Sequence, residues 1–224
     1  MRRFYILNKN LDCFKQNYYS VFYPSRTQFF KFIYLLNIKY DIVYDGKKGF
    51  HMSRLLVVVD YQNDFVDGAL GFPGAEKIAP NIVKLINEFR NNNDEVVFTY
   101  DTHDADYLNT TEGKYLPAPH CLKGSKGWEL YPEVAPLLKD AKVFEKPGFG
   151  SKELGHYIEQ NQFNEIYLCG LVSDICVFSN AIIAKSSASP YAKIKVVRNA
   201  TSSFGLDMQE KAFDVLKHLH IEII

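Results

Sequence analysis

The chain has 224 residues, with 26 Lys+Arg against 26 Asp+Glu and a hydrophobic fraction of 47%. The zero charge is a sum of opposites: residues 1–51 carry 9 Lys/Arg and 3 Asp/Glu, net +6, while residues 52–224 carry 17 and 23, net −6. The larger part is long enough for one domain with a two-sided core, its acidic balance argues against a nucleic-acid partner, and no apolar run approaches the ~20 residues of a membrane span. Cys13, Cys121, Cys169 and Cys176 contain no Cys-x-x-Cys pair, so neither a disulfide framework nor a zinc ribbon is indicated, and a reducing cytoplasm is expected.

Phe, Tyr, Ile, Lys and Asn make up 28 of the first 51 residues, and this stretch has no Ala and no Glu. Its hydrophobic residues follow neither helical nor strand periodicity over any length. All five residue types have A/T-rich codons, and the codons of Lys48 and Gly49 place a purine-rich AARGG just before that of Met52, as a bacterial ribosome-binding site would sit. The sequence therefore predicts that residues 1–51 stand outside the fold and that the working protein starts at Met52. The other reading is a basic aromatic arm that docks on a partner or a membrane surface.

After Met52 the pattern becomes regular. Residues 54–60, Arg-Leu-Leu-Val-Val-Val-Asp, are a short β-branched run of the kind buried on both faces of a parallel sheet. Residues 78–93 place Ile82, Val83, Leu85, Ile86 and Phe89 at helical spacing, with an Asn-rich stop. Further strands are predicted over 95–100, 142–145, 165–169, 193–197 and 221–224, and further helices over 152–161, 174–187 and 208–218. This alternation predicts an open doubly wound α/β domain with a mostly parallel six-stranded sheet. Residues 101–132 are long for a connection and rich in Gly, Pro, His and Thr, which points to a functional loop.

Ligands of such sheets lie beyond the carboxyl ends of the strands, so the residues found there matter most. The first strand ends in Asp60, the second in Asp101 followed by His103, the third in Glu145-Lys146, and the fourth runs into residues 170–176, ending at Cys176. Cys176 is the nucleophile candidate. Near the start of a helix that Ser173 or Asp174 could cap, and beside Lys146, it is expected to favour the thiolate. The other reading is a buried apolar cysteine, as Cys169 is expected to be. Cys121 is expected to be a spectator. Asp101, His103 and His120, with Glu112 in the same loop, form the candidate metal set; three protein ligands with open positions suit a catalytic Zn, Fe or Mn site, and two surface histidines in a polar loop are the alternative.

Four blocks in order carry a family resemblance: Val58-Val59-Asp60-Tyr61-Gln62-Asn63-Asp64-Phe65; Thr99-Tyr100-Asp101-Thr102-His103 with Pro119-His120; Phe144-Glu145-Lys146; and Cys169-Gly170-Leu171-Val172-Ser173-Asp174-Ile175-Cys176-Val177. From residue 54 to the C-terminus the chain resembles the isochorismatase-like cysteine hydrolases, most closely their nicotinamidase (pyrazinamidase) branch; nothing in that family accounts for residues 1–51. The resemblance implies a metal-dependent amidohydrolase that converts nicotinamide to nicotinate and ammonia in NAD salvage and also accepts pyrazinamide. It implies Cys176 as nucleophile, Asp60 as proton acceptor and donor, and Lys146 paired with both. It further implies one divalent ion, zinc first and iron or manganese next, held by Asp101, His103 and His120, with Glu112 a fourth ligand in some members. A cis peptide is implied between Leu171 and Val172, with the N–H groups of Val172 and Cys176 as the oxyanion hole and Phe65 lining the ring pocket. A small aromatic amide is the implied partner, together with self-association. Another small-amide hydrolase of the fold, or a member that only binds a ligand, remains the alternative.

Overall fold

The computed structural model describes residues 2–6, 19–23 and 53–224. The chain divides into two compact units, Met1–His51 and Met52–Ile224. In the first, β1 (Arg2–Ile6) and β2 (Tyr19–Tyr23) pair antiparallel, from Arg2 opposite Tyr23 to Ile6 opposite Tyr19. The predicted start at Met52 lies outside the described residues.

The second unit runs β3 (Arg54–Val59), α1 (Asn63–Val66), α2 (Ala79–Asn91), β4 (Glu95–Asp101), α3 (Thr111–Tyr115), β5 (Lys142–Lys146), α4 (Lys152–Asn161), β6 (Glu165–Leu171), α5 (Cys176–Ser187), β7 (Lys193–Ser202), α6 (Leu206–His218) and β8 (Glu222–Ile223). Its six strands form one sheet in the order β5-β4-β3-β6-β7-β8, every pairing parallel. The strand residues of β3 alternate between two cores, as the pleat requires. Leu56 and Val58 pack with Ile82, Ile86 and Phe89 of α2. Leu55, Val57 and Val59 pack with Leu154 and Ile158 of α4, Val177 and Ala181 of α5, and Phe213 and Leu216 of α6. Each such side chain contributes about 1.5–3 kcal/mol by leaving water, so β3 is tied to helices on both faces of the sheet.

The chain moves outward from β3 through β4 to β5, then returns to lay β6 on the other side of β3. That reversal opens a crevice at the carboxyl ends of β3, β4 and β6, where ligands bind in such sheets. Gly170 allows the two central backbones to meet there. Its φ is +106°, and a Cβ would lie 2.0 Å from the Val59 carbonyl oxygen, so no other residue fits.

Several element boundaries differ from the sequence expectation by a residue or two, and two of the differences bear on the site. Strand β7 continues to Ser202, because the pairing with β6 shifts register between Leu168, opposite Val196, and Gly170, opposite Thr201. Helix α5 starts at Cys176 rather than at 174, and neither proposed cap serves it. The Ser173 hydroxyl is hydrogen-bonded to Thr201 and Gln209, and the Asp174 carboxylate accepts from Ser203, so both side chains tie the turn to β7 and α6 instead.

Candidate active site

Asp60 follows β3 with φ +44°, a left-handed conformation that Asp tolerates better than most residues. Its carboxylate is fully buried; Oδ1 accepts from the Thr99 hydroxyl at 2.6 Å. Oδ2 lies 2.6 Å from Lys146 Nζ, a fully buried ion pair. Lys146, the last residue of β5, is 1% exposed. Its ammonium also reaches the Gly148 carbonyl at 3.0 Å, Asp101 Oδ1 at 3.3 Å and Cys176 Sγ at 3.6 Å. One nitrogen thus joins both carboxylates and the thiol. Glu145, its neighbour in the motif, turns outward and pairs with Lys123 at 2.5 Å.

Burial sets the proton affinities. It pushes the Asp60 carboxyl upward, with Lys146 opposing. Burial alone would lower Lys146, but the charges of Asp60, Cys176 and Asp101 outweigh it and hold the ammonium above its ordinary range. Cys176 departs from the sequence expectation. Burial, with Asp60 and Asp101 nearby, raises its thiol well above the usual value although Lys146 pulls the other way. A helix N-terminus and one cation do not compensate for the lost hydration of a thiolate that is 4% exposed. Cys176, the nucleophile candidate, is thus held toward the protonated thiol.

Beside this group stands the second cluster. Asp101 Oδ2 lies 3.1 Å from His103 Nε2 and 3.2 Å from His120 Nε2, and Glu112 Oε1 lies 3.9 and 3.8 Å from the same two nitrogens. The four donor atoms are all within 4.8 Å of one another. His120 Nδ1 is 2.9 Å from the Ala118 carbonyl, which places its ring proton there and turns the Nε2 lone pair toward the other donors. Two carboxylates and two imidazoles aimed at one point suit a divalent cation such as zinc. The same arrangement holds Asp101 in its ionised form: burial raises its carboxyl, but the histidines and Lys146 more than reverse that. Cys121 Sγ is outside this group and Cys169 is buried in the core, both as expected.

Several supporting residues were not read from the sequence. Gln62 is buried and holds Asp101 by its main chain: its Nε2 donates to the Asp101 carbonyl at 2.9 Å and its Oε1 accepts from the Asp101 N–H at 2.8 Å. Asp64 Oδ2 accepts from the Cys121 N–H at 2.7 Å and so fixes the chain next to His120. Tyr107 packs edge-on to both imidazoles, and its hydroxyl donates to the Leu116 carbonyl. Asn180, fully buried one turn along α5, donates to the carbonyls of Phe149 and Cys176 and accepts from the Ser151 N–H. Gln62 and Asp64 lie inside the first motif block, so that block held the available signal. For Tyr107 and Asn180, no spacing rule brings them to the site.

Both clusters open into one cavity of about 360 Å³. Asp101, Glu112, His120 and Cys176 line its polar part, and Phe65, Leu70, Val172 and Ile175 its walls. Phe65 meets the His120 ring at 5.6 Å. The Leu171–Val172 peptide is cis, as expected. Among the described residues, neither the Val172 nor the Cys176 N–H donates to a main-chain carbonyl. Cys176 is the first helical residue, where the N–H has no acceptor within the helix.

The comparisons with known proteins agree with this architecture. The Isochorismatase domain matches residues 54–224, and the chain belongs to that family. It is 34% identical over 166 residues to the isochorismatase family protein PncA of Bacillus subtilis, covering 68% of this chain and 88% of that one. The crystal structure of the nicotinamidase/pyrazinamidase PncA from B. subtilis superposes with a TM-score of 0.68 at 32% identity, covering 77% of this chain and 99% of that one. The pyrazinamidase of Pyrococcus horikoshii in complex with zinc gives a TM-score of 0.67 at 25% identity, covering 77% and 98%. The chain is thus an isochorismatase-like hydrolase whose structural neighbours include nicotinamidases and pyrazinamidases.

Proposed function

We propose that this hydrolase is a metal-dependent nicotinamidase that cleaves nicotinamide to nicotinate and ammonia through a Cys176 thioester, acts also on pyrazinamide, and serves NAD salvage. The observation that carries the reading is Lys146, whose single ammonium touches Asp60, Cys176 and the ligand candidate Asp101, so that nucleophile, base and metal donors form one site.

The carbonyl of the bound amide lies against Sγ. The thiol proton passes to Asp60 Oδ2 as the S–C bond forms, and the carbonyl electron pair moves onto oxygen. The N–H groups of Val172 and Cys176 then receive the oxyanion, each donor contributing about 2.7–4 kcal/mol to the transition state. As the C–N bond breaks, Asp60 returns its proton to the leaving nitrogen and ammonia departs. Asp60 next takes a proton from water as the resulting hydroxide attacks the thioester; the S–C bond then breaks, Asp60 gives that proton to the leaving sulfur, and the thiol is restored while nicotinic acid departs and ionises to nicotinate. Lys146 stays protonated throughout and neutralises whichever of Asp60 and Cys176 is the anion. The raised affinity of Asp60 for protons fits a group that must accept and return one at each step. Asp101, His103 and His120, with Glu112, would hold a divalent ion, which when bound would supply a Lewis acid for the pyridine nitrogen. Phe65 packs against the ring from the side of His120.

An assay of ammonia release over a panel of nicotinamide, pyrazinamide and aliphatic amides, after EDTA treatment and again after adding zinc, iron or manganese, tests the reading. Activity on the two aromatic amides that EDTA removes and a divalent ion restores is the expected result. Equal turnover of aliphatic amides, or full activity after chelation, would contradict it.

A further inference from the structure

We propose that Thr99 is a positioning residue for the proton transfer: its hydroxyl fixes the plane of the Asp60 carboxylate and reserves Oδ2 for the proton of Cys176. The inference rests on the reading of Asp60 as the base of the nicotinamidase reaction.

Strand side chains alternate, so Val97, Thr99 and Asp101 of β4 share one face of the sheet. Val97 belongs to the core on that face, together with Val59, Phe144 and Val177. One step further on, Thr99 is fully buried. Valine has the same branched shape, and a buried hydroxyl costs free energy unless it is bonded. Among the described residues, the Thr99 hydroxyl makes one hydrogen bond, donated to Asp60 Oδ1 at 2.6 Å. The main chain does not need it. The Asp60 N–H donates to the Thr99 carbonyl at 3.1 Å, a bond that any side chain at position 99 would leave in place.

The torsion that sets the plane of a carboxylate is broad and soft. Lys146 Nζ anchors Oδ2 at 2.6 Å, but the same ammonium is shared with Asp101, Gly148 and Cys176. One shared anchor holds an oxygen and leaves the group free to turn about it. A second anchor at Oδ1 removes that freedom. It also separates the tasks of the two oxygens. The hydroxyl has one proton to give, so Oδ1 stays an acceptor whether the carboxyl is ionised or protonated. The proton taken from Cys176 and returned to the leaving nitrogen is then carried on Oδ2. Thr99 does not line the cavity, so its hydroxyl should act on the chemical step and not on substrate binding.

The test is steady-state ammonia release from nicotinamide by the zinc-loaded full chain and by its Thr99→Val and Thr99→Ser variants. The first keeps the branched shape without the hydroxyl; the second keeps the hydroxyl without the methyl. Thr99→Val should lower kcat about tenfold to a hundredfold while KM stays within about twofold, the pattern of an interaction made in the transition state. Thr99→Ser should retain most of the parental kcat. A role in packing alone gives the reverse order, with Thr99→Ser the poorer enzyme. That order, an unchanged kcat in Thr99→Val, or a loss that falls on KM instead, would overturn the inference. Should Thr99→Val not fold, Thr99→Ala beside Thr99→Ser makes the same comparison, since both lack the methyl and only one has the hydroxyl; equal kcat in those two would also overturn it. Turnover by the unaltered chain with no effect of the hydroxyl overturns this inference alone. No turnover by the unaltered chain overturns the reading beneath it and this inference with it.

Discussion

Lys146 meets two carboxylates and a thiol in a space that water hardly enters, so its removal leaves buried charge uncompensated. Lys146→Met should cost about 3–5 kcal/mol in chemical denaturation, the usual consequence of breaking a buried pair by removing one partner, and should abolish ammonia release. A variant as stable as the parent would show that the ammonium is not what neutralises Asp60. The raised thiol of Cys176 gives a second prediction. Because its proton is held more tightly than in a free cysteine, iodoacetamide should label Cys176 slowly at neutral pH, and its labelling should rise only at higher pH than that of a free thiol measured alongside. Rapid labelling at pH 6, read by peptide mass spectrometry, would contradict the assignment. The residue types at the strand ends were legible in the sequence because Asp60, Asp101 and Lys146 directly end or follow apolar runs. The state of Cys176 was not, because helix position and one neighbouring cation are visible in sequence while burial is not.

At the scale of elements, the β-branched runs marked the strands, and a single reversal of strand order put their ends on one rim. What the runs did not reveal was β7 beyond Val197. Arg198 and Asn199 interrupt the apolar pattern there, and the register shift against β6 lets the strand continue past them. The cap of α5 was misread for a related reason: Ser173 and Asp174 have the chemistry of caps, but tertiary partners on β7 and α6 claim their side chains. Two substitutions test the joints between elements. Gly170→Ala forces a methyl against the Val59 carbonyl at a left-handed φ, and should cost about 1–3 kcal/mol or more in thermal or denaturant unfolding. Asn180→Leu removes two hydrogen bonds that join α5 to the loop after β5, at Phe149 and Ser151, and a third to the Cys176 carbonyl within α5. It should lose about 1–3 kcal/mol for the donors and acceptors left unpaired and should raise KM, since Phe149 of the cavity rim is held by that clamp. An unchanged stability would show that the loop is held by other contacts.

Across the whole molecule, the zero net charge conceals a division of labour. All of the site residues belong to the unit that carries net −6, and the net +6 of residues 1–51 belongs to the other unit. No helix among the described residues is long and apolar enough to cross a membrane. Four ligand candidates from β4 and the loop that follows it converge on one point, so bound metal should stabilise the entire α/β unit by mass action. A hundredfold excess of zinc over its dissociation constant should add about 2.7 kcal/mol, seen as a rise in the thermal midpoint that EDTA reverses and that Asp101→Ala abolishes. The proposed attack of Cys176 on a nicotinamide carbonyl is read from ammonia release by the zinc-loaded full chain beside its Cys176→Ala variant. Turnover by the first and none by the second is expected; equal release by both, or none by either, would rule that attack out.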